Sequence, residues 1–154
     1  MTEALGDHIK ATNIKSAEFK KVSEAIMTRL TGSKEITPAS IKLAKKNQEF
    51  GSKRLSYENK NMKKIIDGID KIEKDVMTAV DAALAKKFPG EKIHNWYERY
   101  RFFARGRRAW VALATEGKIE VVMMWFSVGD KDYILKDMKI DLVRGTAEFN
   151  ISLK

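Results

Sequence analysis

From Met62 to Ala83, apolar residues recur at intervals of 3, 4, 3, 4, 4 and 3: Met62, Ile65, Ile69, Ile72, Val76, Val80 and Ala83. That spacing keeps one narrow stripe in line along about six turns of α-helix. It predicts a helix over about 59–88, closed by Pro89-Gly90. An apolar stripe of this length must be covered, by other parts of the chain or by a second copy. The chain of 154 residues, 44% of them hydrophobic, can supply that cover as one domain with one core.

The helical period governs the segment before the stripe as well. Phe19, Val22, Ile26 and Leu30 repeat at threes and fours from Ser16 to a stop at Thr31-Gly32. Thr37-Pro38 is a helix start, with Thr as cap and Pro at the first turn. After Pro89-Gly90 a short helix is expected over about 91–104, with Ile93, Trp96, Tyr97, Tyr100, Phe103 and Ala104 on one side. Beyond Arg107 the period becomes two. Strands are expected over 108–115 and 118–128, joined at Glu116-Gly117, with Arg108 opposite Trp125 and Trp110 opposite Met123. The 118–128 strand is apolar on both faces, which places it inside the sheet with cover on both sides. Residues 134–143 and 147–153 alternate around Arg144-Gly145, pairing 142 with 147, 140 with 149 and 138 with 151. The expected class is therefore α+β: helices over 16–105, then a four-stranded antiparallel meander over about 107–154. Residues 1–15 are expected to form a flexible N-terminal segment.

The formal net charge is +9, and it is concentrated. Residues 10–64 hold 14 basic and 5 acidic residues, and residues 99–111 hold 5 arginines and no acid. The remainder is near neutral. Such local excess points to a polyanionic partner. The chain has no cysteine, which removes disulfides, thiolate zinc sites and cysteine nucleophiles and fits the cytoplasm. The first residues lack the basic-then-apolar pattern of a secretory signal, and no apolar run is long enough to cross a membrane.

Catalytic motifs are absent: there is no Walker loop, nucleophile elbow or dinucleotide fingerprint, and the two histidines, His8 and His94, stand far apart. His8 reads as a solvated residue near a frayed terminus. The carboxylates Asp130, Asp132 and Asp137 with Lys139 have the residue types of a metal-dependent nuclease. Asp137, Lys139 and Asp141 equally form the polar face of an ordinary strand. Asp67, Asp70 and Glu73 read as the solvated back of the long helix. No cofactor or metal is implied.

The arginine cluster carries the most chemistry. Arg99, Arg101, Arg105, Arg107 and Arg108 are interleaved with Trp96, Tyr97 and Trp110. Guanidinium groups bridge phosphates and flat rings stack on bases, the combination that single-stranded nucleic acid requires. The same aromatics would also serve as the core side of a helix that seals the sheet. Lys45, Lys46, Lys53 and Arg54 form the second half of the candidate footprint. A small basic antiparallel sheet with a helix resembles the single-strand-binding modules of the Whirly and transcription-coactivator type, in architecture alone, because here the helices come first. The leading expectation is a non-enzymatic, sequence-tolerant binder of single-stranded nucleic acid, RNA before DNA. The alternative is an assembly module, a homodimer through the 59–88 helix.

Overall fold

The computed structural model describes residues 7–15, 17–46, 60–97 and 107–154, with the backbone alone at 60–62, 95, 97 and 107. In chain order these form β1 (Asp7–Ala11), α1 (Phe19–Thr31), α2 (Pro38–Lys46), α3 (Lys60–Lys87), β2 (Ile93–Tyr97), α4 (Arg107–Glu116), β3 (Lys118–Val128), β4 (Lys131–Asp141) and β5 (Thr146–Leu153). The class is α+β. The strands make one antiparallel sheet in the order β1-β5-β4-β3-β2, a meander widened by one strand at each edge.

The long helix forms where its stripe predicts, but its apolar face is broader. Ile65, Ile66, Ile69, Ile72, Val76, Met77, Val80 and Leu84 are all buried. Two separate surfaces cover them. On one side α1 presents Val22, Ile26, Met27 and Leu30, and it ends at Gly32, which is left-handed (φ 77) and donates its N–H to the Thr28 carbonyl. On the other side lies the inner face of the sheet. Both edge strands touch α3, so the sheet curls around it. Polar contacts mark the two edges. Lys87 of α3 meets Asp7 of β1 at 3.2 Å, and the Trp96 indole of β2 donates to Asp81 of α3 at 2.9 Å.

The α1–α3 crossing is close because of Gly68. A Cβ at that position would collide with Cγ2 of Val22, which is itself fully buried. Glycine lowers the helix propensity of α3 by about 1 kcal/mol relative to alanine, and the close packing of two helices is what the missing methyl allows. Glu73 is also fully buried on this helix, not part of its solvated back.

Two expected elements exchange type. The helix expected over 91–104 is, at Ile93–Tyr97, the edge strand β2. The strand expected over 108–115 is the helix α4, which buries Trp110, Val111, Leu113 and Ala114. In the eight residues of 108–115, positions 109, 111 and 113 alternate as a strand would, while 110, 113 and 114 fit one helix face. Trp110 and the loss of water from its large ring favour the second arrangement. Gly117 is not half of a hairpin turn but the left-handed residue (φ 68) that ends α4 and donates to the Leu113 carbonyl. The pairs Arg108–Trp125 and Trp110–Met123 therefore do not form. Trp125 lies between Tyr97 and Ile134, and Met123 pairs with Lys136.

The N-terminal residues Asp7–Ala11 are not a loose tail but strand β1, paired along β5 from Asp7–Ile151 to Ala11–Ala147. The β4–β5 turn is wider than expected. Asp141 accepts the N–H groups of Val143 and Arg144, and pairing begins at Asp141–Thr146. Ile140 thus faces Ala147 instead of Phe149, a slip of two residues that leaves the inward residues inward. Further along β4 the alternation breaks. Leu135 and Met138 are buried while Lys136 and Asp137 are exposed, and Asp137 has φ 55. The β4–β5 register shifts at this bulge. Beside it on β3, Val122 and Met123 turn outward, so the strand expected to be covered on both faces is bare there, Val122 being 78% exposed.

Candidate nucleic-acid interface

The α2 helix begins with a reciprocal cap. The Ser40 N–H donates to the Thr37 hydroxyl at 3.1 Å, and the Thr37 N–H donates to the Ser40 hydroxyl at 2.8 Å. Ala44 is its buried residue, and Lys42, Lys45 and Lys46 are exposed. Lysines at 45 and 46 also complement the partial negative charge of the helix C-terminus.

The α4 helix packs beside α2 and carries the opposite polarity. It opens with Arg107-Arg108 and has no acid in its first turn, so side-chain and backbone charges at that end are all positive. Burial of Trp110, Val111, Leu113 and Ala114 fixes its rotation and leaves Arg108 exposed. Lys45 and Arg108, 63 positions apart in the sequence, line one cavity of about 420 Å³ together with Val111, Ala112 and Glu116. Glu116 is the one acid in that lining, two cations against it.

The other expected site residues divide clearly. Trp96 is structural: its ring stacks on Phe126 at 4.7 Å between centroids, and its indole N–H is held by Asp81. Phe126 in turn stacks on Tyr133 at 5.6 Å, and Tyr133 meets Phe88 at 5.1 Å. Trp110 is fully buried and offers no face to a base, whereas Trp96 is partly buried with its ring stacked on Phe126. Tyr97 lies opposite Trp125 at the sheet edge, and its side chain, like that of Arg107, lies outside the described residues. Arg99, Arg101, Arg105, Lys53 and Arg54 also lie outside them. Chain continuity alone relates these to the cavity. Residues 47–59 follow directly from Lys46, and residues 98–106 lead directly into Arg107.

The carboxylates sit elsewhere. Asp132 accepts a hydrogen bond from Ser127 at 2.7 Å. Lys139 stands between Glu120 and Glu148 in the register, and Lys10 stands beyond Glu148, giving a row of alternating charge across four strands. His8 lies in this area too, 3.3 Å from Glu148, on a paired strand rather than a frayed end. Among the described residues no three His, Asp or Glu side chains converge as metal ligands would. The stripe of α3 that self-association would use, from Ile65 to Val80, is covered within the chain. Among the described residues no helix is long and apolar enough to cross a membrane.

What sequence reasoning missed is the outer face of the sheet at Val122, Met123 and half-buried Trp125. Its exposure depends on the bulge, and alternation alone carries no sign of a bulge at Asp137. Comparison with family models, curated proteins and solved structures found no match to this chain.

Proposed function

We propose that this protein binds single-stranded nucleic acid with little regard to sequence, RNA before DNA, without making or breaking a bond. The observation that carries this reading is the shared cavity of Lys45 and Arg108. One cation comes from the lysine-rich half of the sequence and the other from the arginine cluster. The chain on either side adds Lys53 and Arg54 after α2, and Arg99, Arg101 and Arg105 before α4. With Glu116 as the one acid, Lys45 and Arg108 leave the lining with a net positive charge, which a phosphate between them would neutralise. Guanidinium and ammonium groups on phosphodiester oxygens are indifferent to base identity. Trp110 is in the core and takes no part, so affinity rests chiefly on charge and should fall steeply with salt.

The test is the anisotropy of a labelled twelve-nucleotide oligouridylate at several salt concentrations, for wild type and for Lys45→Gln with Arg108→Gln. Both side chains are exposed, so stability should change by no more than a few tenths of a kcal/mol. Affinity at low salt should fall about tenfold or more. The slope of log K against log salt should shrink by about 1.4, at about 0.7 per phosphate contact. Unchanged affinity in the double variant would remove the cavity from the interface, and a flat salt response in wild type would end the reading altogether.

A further inference from the structure

β1 is an edge strand, and among the described residues β5 is its one strand neighbour. Beside it runs a groove of about 650 Å³ between β1 and the C-terminal half of α3. Its floor on the helix is Ala79, Ala82 and Ala83, which lets a backbone approach closely. Its rim is basic: Lys10 on the strand, Lys15 after it and Lys86 on the helix, with Lys87 paired to Asp7 at 3.2 Å and Asp75 as the one acid of the lining. From Asp75 to Lys87 the helix rises about 18 Å at about 1.5 Å per residue, close to the length of a five- or six-residue strand.

We propose that this groove takes an extended acidic peptide, which adds to β1 as a sixth strand and sets its carboxylates against the rim lysines. An open strand edge presents amide donors and carbonyl acceptors in alternation, and a peptide backbone answers both. A phosphodiester backbone has acceptors alone. No Phe, Tyr or Trp lines the groove among the described residues, and its one ring, His8, lies 3.3 Å from Glu148, so it offers bases little to stack on. The charge of the rim excludes basic and favours acidic segments. The site shares no residue with the Lys45–Arg108 cavity and stands whether or not that cavity binds nucleic acid.

A fluorescein-labelled hexapeptide alternating glutamate and valine, titrated with the full chain, tests this by anisotropy. It should bind at least tenfold more tightly than its lysine–valine counterpart. Two N-methylated forms of the acidic peptide, one blocking the N–H groups of the odd residues and one those of the even residues, should differ. The form that blocks the edge-facing groups should lose at least tenfold, and the other should bind as the parent does. Lys10→Glu with Lys86→Glu, and separately Ala82→Trp, should each weaken binding at least tenfold. All three positions are exposed, and a circular-dichroism melt like that of wild type certifies the fold. Equal binding of the acidic and basic peptides, or of the two methylated forms, would overturn the proposal. So would displacement of the peptide by unlabelled oligouridylate whose own affinity also falls in Ala82→Trp, which would assign the groove to nucleic acid.

Discussion

α2 and α3 both set lysines on one side and apolar residues on the other, yet they are held in opposite ways. α3 buries nine side chains between two surfaces, Ile65, Ile66, Ile69, Ile72, Glu73, Val76, Met77, Val80 and Leu84. α2 buries Ala44 alone and leaves Leu43 half exposed. Burying a large aliphatic side chain contributes about 1.5–3 kcal/mol, and an alanine far less. The fold therefore rests on α3, while α2 can shift or fray without unfolding the rest. A surface lightly attached in this way can adapt to a flexible polyanion, whereas a clasped helix cannot.

The sharpest test of the clasped side is Gly68→Ala. Alanine should raise helix propensity by up to about 1 kcal/mol. The added methyl would press on Val22, a β-branched side chain with one favoured helical rotamer and no space to turn. Overpacking of this kind costs about 1–3 kcal/mol, so the net effect should be a loss of stability in urea titration. Val22→Ala in the same chain should restore part of it, because the two changes share one contact. A Gly68→Ala protein more stable than wild type would mean that α1 and α3 can part freely, and the contrast with α2 would fail.

Thr37→Ala probes the loosely held side. It removes the hydroxyl that accepts from Ser40 and should cost about 1 kcal/mol of helix stability. Because α2 has few buried contacts, the loss should appear locally. Amide exchange in 38–46 should accelerate while the α3 amides keep their protection, and oligouridylate affinity should fall modestly as Lys45 loses its seat. Acceleration of both helices together would show that α2 unfolds only with the whole.

The same contrast marks what was legible in the sequence. α1, α2 and α3 were readable because their spacing runs over several turns and their stops, Gly32 and Pro89-Gly90, have one meaning. Near the turn the β4–β5 pair was readable to its faces though not to its register, since a slip of two residues keeps inward positions inward. Beyond the bulge at Asp137 the faces were not readable, because Leu135 replaces Lys136 on the inner side. Residues 91–116 were not readable either. Ile93–Tyr97 pairs with β3 as an edge strand, but six positions between Ile93 and Ala104 also align on a helix. Trp110 fits either element until its neighbours are known. Gly117 has the left-handed conformation that both a helix end and a hairpin need, so it could not arbitrate. For the candidate site, the charges of Lys45 and Arg108 were legible and their meeting was not. It depends on how α2 lies against α4, and no local pattern encodes the contact of elements 63 positions apart.

The smallest expected effect lies on the flank of α3 itself, at Asp75. Burial raises its carboxyl above the ordinary value of 3.8, and the Glu18 carboxylate adds to the shift. The charged form is thus less favourable in the folded chain than in the unfolded one. Between the ordinary carboxylate value and the raised one, the folded state holds more protons, so stability falls as pH rises through that window and stays lower above it. Asp75→Asn removes the charge while keeping the shape. At pH 7 the variant should be more stable by a few tenths of a kcal/mol, the size typical of partly exposed positions, and the difference should vanish as pH falls below about 4. Glu18→Gln should give less, because Glu18 is the smaller cause and also loses its 3.7 Å contact with Lys71. Lys15 and Lys86 line the same groove as Asp75, and cations close enough to feel its charge would act in the opposite sense by favouring it. Urea titrations of wild type and Asp75→Asn at pH 3.5, 5 and 7 measure the balance. A variant less stable than wild type at pH 7 would mean that the lysines outweigh burial, and that the rim of the groove is already neutralised from within by its own carboxylate.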